Sequence, residues 1–333
     1  MSAPAPAMHS EAAVHAAARL GLRLGRPNLE VFAETLLELA RADRNVLAVT
    51  SDSRGSGKLG PFGQALPEQI VEVGIAEQNL VGIAAGLAAA GKTVFAVSPA
   101  CFLTARALEQ IKNDVAYSDQ PVVLVGISAG VSYGALGSTH HSLHDFAALR
   151  AIPNLVLLAP ADNCETAAAV RAAAAARRPM YLRLGKAPVY DLPAAGGPFS
   201  VGRARLLRPG GDAAFLATGE TVIHALLAAA QLEECDGLHC RVLSLPTIKP
   251  LDQEAVIQAA RECRVIVTVE EHLVCGGLGE ACAGVLAQAG FARRVRIVGL
   301  PDEATVTGSQ ADLFRHYGLT MEGLAQTVRD LSR

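Results

Sequence analysis

The sequence contains no tryptophan, and only 4% of its 333 residues are aromatic. Its formal charge is −3, with 29 Lys and Arg against 32 Asp and Glu. Few stacking rings and no basic excess argue against a nucleic-acid partner. No apolar run approaches the roughly 18–20 residues that span a bilayer, so no membrane partner is expected. The seven cysteines form no C-x-x-C pair and their number is odd. That pattern argues against a disulfide framework or structural zinc and for reduced thiols in a cytoplasmic protein. Two nucleotide signatures are also missing: there is no G-x-x-x-x-G-K-[ST] loop and no strand-linked G-x-G-x-x-G. The GGLG at 276–279 reads as close strand-to-helix packing.

Hydrophobic residues make up 51% of the chain, enough for a real core, and the length suits two domains. Residues 1–25, rich in Ala and Arg without a clean signal-peptide pattern, read as a poorly ordered arm. From 26 to 188, apolar strands such as NVLAVTS and PVVLVGIS alternate with helical patterns, the first of these capped by Asn28. A Pro/Gly-rich stretch at 189–207 reads as a linker, and the strand–helix rhythm resumes from 208 to 333. Continuous apolar strands between helices predict two doubly wound α/β domains with parallel sheets.

The segment Val73-Gly74-Ile75-Ala76-Glu77-Gln78-Asn79 is the most informative. Glu77 opens an otherwise almost uncharged helix. A carboxylate there complements the helix dipole; held among apolar neighbours, it could also exchange a proton with a bound heterocycle. A second candidate region is the loop GISAGVSYGALGSTHHSLHD, too long and too rich in Gly and Ser to be only a connection. Its His140, His141 and His144 could be substrate-facing, solvated or partial metal ligands, although no fourth ligand is evident.

GIAEQN before a Gly/Ala-rich helix resembles the pyrimidine-binding domain of thiamine-diphosphate enzymes of the transketolase family. Cys101-Phe102-Leu103 with Arg106, the Gly137–His141 loop, Pro160-Ala161-Asp162, and Val269-Glu270-Glu271-His272 before GGLGE follow in the family's order. The resemblance covers residues from about 28 to the end. It implies that Glu77 hydrogen-bonds the cofactor's aminopyrimidine and starts its activating proton relay. It also implies that Phe102 stacks on that ring, with Ile75, Gln78 and Arg106 beside it. His140 and His141 would contact substrate oxygens, and Arg183 a substrate phosphate, with Lys186 next to it. Asp52 and Ser53 would contact ligand across an interface, with Arg54 and Lys58 as further anion-binding candidates. The family's acidic residue three positions before Thr-His is absent, since Leu136 follows Ala135 there. That departure points to an unusual sugar donor or acceptor.

Complete members of the family also carry an earlier domain whose G-D-G motif and later Asn hold Mg²⁺ against the diphosphate. Neither is found here; Gly210-Gly211-Asp212 is followed by Ala. The resemblance therefore implies the C-terminal subunit of a split transketolase, in an α₂β₂ assembly with an N-terminal subunit that holds Mg²⁺. It would move a two-carbon unit between sugar substrates. The alternative is the beta subunit of a 2-oxo acid dehydrogenase.

Overall fold

A computed structural model describes residues 8–193 and 197–333. Residues 1–7 of the expected arm, and 194–196 within the expected linker, lie outside the described residues.

Residues 8–25 of the expected arm include a packed helix and the start of a strand, which departs from the expectation for those residues. Helix α1 (Glu11–Arg19) is capped by Ser10, whose side chain accepts from the Ala13 amide. Its Ala13, Ala16 and Ala17 fall on one face at helical spacing and are buried against the second domain's core. Small side chains let that backbone approach closely. Arg19 pairs with Glu234, and Ser10 donates to Glu322. Strand β1 (Leu24–Pro27) then pairs antiparallel with residues 188–190 of the linker region.

In the first domain, helix α2 (Asn28–Ala42) leads to strand β2 (Val46–Thr50), α3 (Gly60–Ala65), β3 (Ile70–Glu72) and α4 (Glu77–Ala89). Asn28 is not the cap: Pro27 holds that position, and the Asn28 side chain instead bonds Asn163 and Glu220. Strand β4 (Thr93–Pro99) feeds α5 (Ala100–Arg106), which breaks at Ala107 and continues through α6 (Leu108–Gln110) into a π-helical turn at 111–117. Next come β5 (Val122–Ile127), α7 (Asp145–Arg150), β6 (Val156–Leu158), α8 (Asn163–Ala176), β7 (Met180–Arg183) and β8 (Pro188–Tyr190). Asp162 caps α8 by accepting from the Glu165 amide.

The second domain contains β9 (Arg205–Arg208), β10 (Ala213–Ala217), α9 (Val222–Asp236), β11 (Cys240–Ser244), β12 (Thr247–Lys249), α10 (Gln253–Glu262) and β13 (Val265–Leu273). It ends with α11 (Leu278–Gln288), β14 (Arg294–Leu300), α12 (Gln310–His316) and α13 (Met321–Ser332). Its sheet runs β14-β13-β10-β11-β9, parallel except for the edge strand β9.

The first sheet runs β12-β6-β7-β5-β4-β2-β3. All its strands are parallel except β12, a strand from the second domain's sequence paired antiparallel with β6. The doubly wound expectation therefore holds, but the domain boundary near 200 is crossed by this exchanged strand. Buried runs such as Val94–Ala100 and Val122–Ile127 account for the strands' unbroken apolar character. Among the described residues, no helix is long and apolar enough to cross a membrane.

Candidate active site

The site forms where open α/β sheets usually bind ligands, beyond the carboxyl ends of strands. Glu77 is the first residue of α4, and its side chain is 2% exposed. Arg106, the last residue of α5, reaches back so that its Nη1 donates to Glu77 Oε2 at 2.6 Å. Arg106 is itself 48% exposed, so the pair spans the boundary between core and opening. The buried carboxylate expected from the sequence is thus ion-paired, not merely surrounded by apolar groups. Among the described residues, Glu77 Oε1 receives no hydrogen bond.

From this pair a line of side chains continues across the opening. The Arg106 guanidinium lies over the Phe102 ring at 5.0 Å, and that ring meets His140 edge-on at 5.3 Å. His140 meets Tyr133 at 5.6 Å, and the Lys186 ammonium stands 4.7 Å above the Tyr133 ring. A cavity of about 440 Å³ borders this line, lined by Phe102, Arg106, Ser138, Thr139, His141 and His144 among others. Thr139 Oγ1 lies 2.9 Å from His140 Nδ1, leaving Nε2 without a protein partner among the described residues. Cys101 sits beneath; burial pushes its thiol up to about 11, which makes it a poor nucleophile.

Five expected contact residues fall elsewhere. Arg183 is buried, and its Nε donates to Asp145 Oδ2 at 2.8 Å. Its Nη2 donates to the carbonyls of Ser142 and Glu271, so Nε and Nη2 are engaged inside the protein and only Nη1 lacks a partner among the described residues, which leaves no free two-nitrogen fork for a substrate phosphate. It is the last residue of β7, and the inward side of the strand carries it into the joint between the domains. The exposed cation of this segment is Lys186, three residues later. Ser53 is buried and donates to the Val97 carbonyl, joining strands instead of facing ligand. His141 is buried; its Nε2 meets the Gly134 carbonyl at 3.0 Å and its Nδ1 meets Thr305 Oγ1 at 2.8 Å. A carbonyl can only accept, so Nε2 carries the proton and Nδ1 accepts. Burial, opposed by the Gly134 carbonyl, lowers its pKa. His141 therefore pins the loop to the second domain and offers the cavity only its ring. Ile75 and Gln78 line nothing within the chain: they face outward, Ile75 at 76% exposure. Asp52 is exposed at the rim with a left-handed backbone.

The sequence reading missed the groups that hold these parts in place. Glu72 accepts from the amides of Asp52 and Gly74, tying together the two loops that flank Glu77. Between the domains, Asp145 accepts from Arg183 and from the Tyr181 hydroxyl at 2.7 Å. Burial pushes the Asp145 carboxyl up, but the charges of Arg183 and His272 outweigh it and lower its pKa. Burial pushes Glu271 up to about 7 despite Arg183, and His272 down to about 4 despite Asp145. These residues are scattered at 145, 181, 183, 271 and 272, and no local pattern marks them as a cluster.

Residues 27–190 match the transketolase pyrimidine-binding domain, and residues 202–324 match the transketolase C-terminal domain. The chain is 48% identical over 298 residues to one subunit of the apulose-4-phosphate transketolase of Phocaeicola vulgatus, covering 89% of this chain and 95% of that protein. It is 36% identical over 302 residues to a putative transketolase C-terminal section of Methanocaldococcus jannaschii, covering 90% and 94% respectively. A solved structure described as a split gene transketolase, inactive β4 tetramer, superposes with a TM-score of 0.84 at 34% identity. That match covers 92% of this chain and 98% of the other.

Proposed function

The chain belongs to the transketolase family as the C-terminal subunit of a two-component, thiamine-diphosphate-dependent enzyme, and we propose that the line from Glu77 to Lys186 is its half of the active site. The observation that carries this is the Glu77 carboxylate, buried, with Oε2 held by Arg106 and Oε1 left without a partner. An acceptor oriented in this way, next to the Phe102 ring, fits an aminopyrimidine that offers both a ring nitrogen and a flat face.

When bound, thiamine diphosphate supplies the nucleophilic carbon and the electron sink for the two-carbon unit. Glu77 Oε1 holds the proton at the ring nitrogen, and Arg106 keeps the carboxylate from rotating away. Phe102 gives the ring its stacking surface and shields it from water. His140, with Nε2 open, donates to or accepts from substrate oxygens. Lys186, the exposed cation at the end of the line, takes the substrate's anionic group in place of Arg183.

Leu136 is 55% exposed in the turn that precedes His140. An apolar side chain at the rim cannot bind a sugar hydroxyl, which favours a ketose phosphate lacking a hydroxyl there. The Phocaeicola vulgatus relative is named for apulose-4-phosphate, which supports a phosphorylated sugar substrate.

Among the described residues, no three His, Cys, Asp or Glu side chains gather as a metal-binding group. A diphosphate is normally held through a hard cation with oxygen ligands, so the N-terminal subunit supplies Mg²⁺ and its ligands. Outward-facing Ile75 and Gln78 meet that subunit or a second copy of this one in an α₂β₂ assembly. The β4 relative is described as inactive, which supports a C-terminal subunit needing its partner for turnover. Unpaired cysteines throughout the described residues support a reducing, cytoplasmic setting.

The test mixes this chain with an N-terminal transketolase subunit, thiamine diphosphate, Mg²⁺ and a panel of straight and branched ketose phosphates. Turnover should require both chains and favour a donor lacking the hydroxyl that would meet Leu136. Ketol transfer by this chain alone would overturn the divided site. Acyl transfer to lipoamide without ketol transfer would favour the dehydrogenase reading.

A further inference from the structure

At the amino ends of the second domain's strands, far along the sheet from the carboxyl ends that carry Glu270 and Glu271, lies a cavity of about 510 Å³. Ala213, Val265 and Arg294 stand side by side in the register of β10, β13 and β14. Neighbouring strands are about 4.8 Å apart, so Asp212, Arg264 and Arg293, each one residue earlier, converge on the same rim. Arg294 joins them, with Nη1 anchored on the Leu331 carbonyl at 2.7 Å. Arg293 is likewise anchored, its Nε donating to the Ala260 carbonyl at 2.6 Å. Carbonyl anchors orient these two guanidiniums without neutralising them.

Other arginines of this domain are partnered by carboxylates, although Arg261 and Arg296 are not. Arg208 pairs with Glu233, Arg241 with Glu262 and Arg329 with Asp236. Among the described residues, Arg264, Arg293 and Arg294 have no carboxylate within ion-pairing distance. The acidic side chain on this rim, Asp212, already has Oδ2 bonded to the His239 amide at 2.6 Å. Three like charges on adjacent strands repel one another unless an anion lies between them. Leu238, Val265 and Leu331 add an apolar wall beside them.

We propose that this cavity binds a small diphosphate-bearing metabolite, with Arg264, Arg293 and Arg294 clamping its phosphates and the apolar wall receiving the rest. Guanidinium forks match phosphate oxygens in a bidentate manner, and a cavity of this size suits a ligand of nucleotide dimensions. This site is separate from the Glu77–Lys186 line and does not depend on the assignment of that line.

The test is calorimetric titration of the full chain with inorganic pyrophosphate and with ADP. Both should bind saturably at one site, with ADP at least as tightly as pyrophosphate because of the apolar wall. Arg264→Glu and Arg293→Glu should each weaken binding about tenfold or more, as should high salt. Lys112→Ala, at an exposed lysine of the first domain, should leave binding unchanged. Asp212→Asn removes a repelling charge and should tighten binding about threefold, a gain that misfolding cannot imitate. No saturable binding into the millimolar range would overturn the proposal, as would binding unaffected by both charge reversals or abolished by Lys112→Ala.

Discussion

Two arginine–carboxylate pairs of nearly equal length occupy opposite situations in this protein. Arg106 donates to Glu77 at 2.6 Å at a cavity mouth, with the guanidinium half exposed; Arg183 donates to Asp145 at 2.8 Å, with both groups buried. Distance alone does not separate them. Each pair leaves one carboxylate oxygen without a hydrogen-bond partner among the described residues, Glu77 Oε1 and Asp145 Oδ1. What differs is access, since Arg106 is half exposed while Arg183 is buried with Nη2 held by carbonyls of two domains. The first pair is arranged to act on something that arrives. The second is closed away from anything that arrives.

The sharpest way to break this contrast is Glu77→Gln. Turnover with the partner subunit should fall about 10²–10⁴-fold, with the melting temperature unchanged. A near-normal rate would remove Glu77 from the proton relay. Arg183→Met should cost about 3–5 kcal/mol of stability, because Asp145 is left buried without its counter-charge. Urea denaturation measures this. Unchanged stability with a raised KM for the phosphorylated substrate would instead return Arg183 to substrate binding.

Arg106→Ala leaves the buried Glu77 carboxylate without its counter-charge and should cost about 1–3 kcal/mol of stability, less than Arg183→Met because this pair sits at the opening. Its kcat should nevertheless fall about tenfold while KM for the sugar changes little. A stability loss matching that of Arg183→Met would erase the distinction between the pairs.

The smallest effect concerns pH. Burial raises Glu271 to about 7, above the ordinary value of about 4.3 in an unfolded chain. Its contribution to stability is therefore full below about pH 4 and lost as pH climbs through 7. Glu271→Gln should melt about 2–4 °C above the wild type at pH 8.5, and the difference should shrink toward pH 5. Thermal melts across that range check it; a constant difference would show that Glu271 does not titrate near neutrality.

The segments of the proposed site could be picked out in the sequence because GIAEQN and the Phe102 and His140 stretches are each contiguous. The alternating α/β architecture was legible for a similar reason, since each apolar strand announces itself locally. What stayed hidden depends on how distant segments meet. Arg183 and Ser53 lie in or beside strands, where which side a residue faces is settled by the packed sheet. Helix α1 looked like an arm because alanine carries little hydrophobic signal until a surface such as α9 lies close against it. The π-helical turn at 111–117 and the displaced cap at Asn28 show the same dependence on tertiary contacts.

Strand β12 has one more consequence. Its three residues, Thr247–Lys249, complete the outer border of a sheet otherwise built from residues ahead of position 184. Severing the polypeptide near position 200 would strip Val156–Leu158 of its neighbour and leave an apolar edge open to intermolecular strand addition. The two modules are stitched into a single cooperative body, and neither half is a ready spare part for protein engineering.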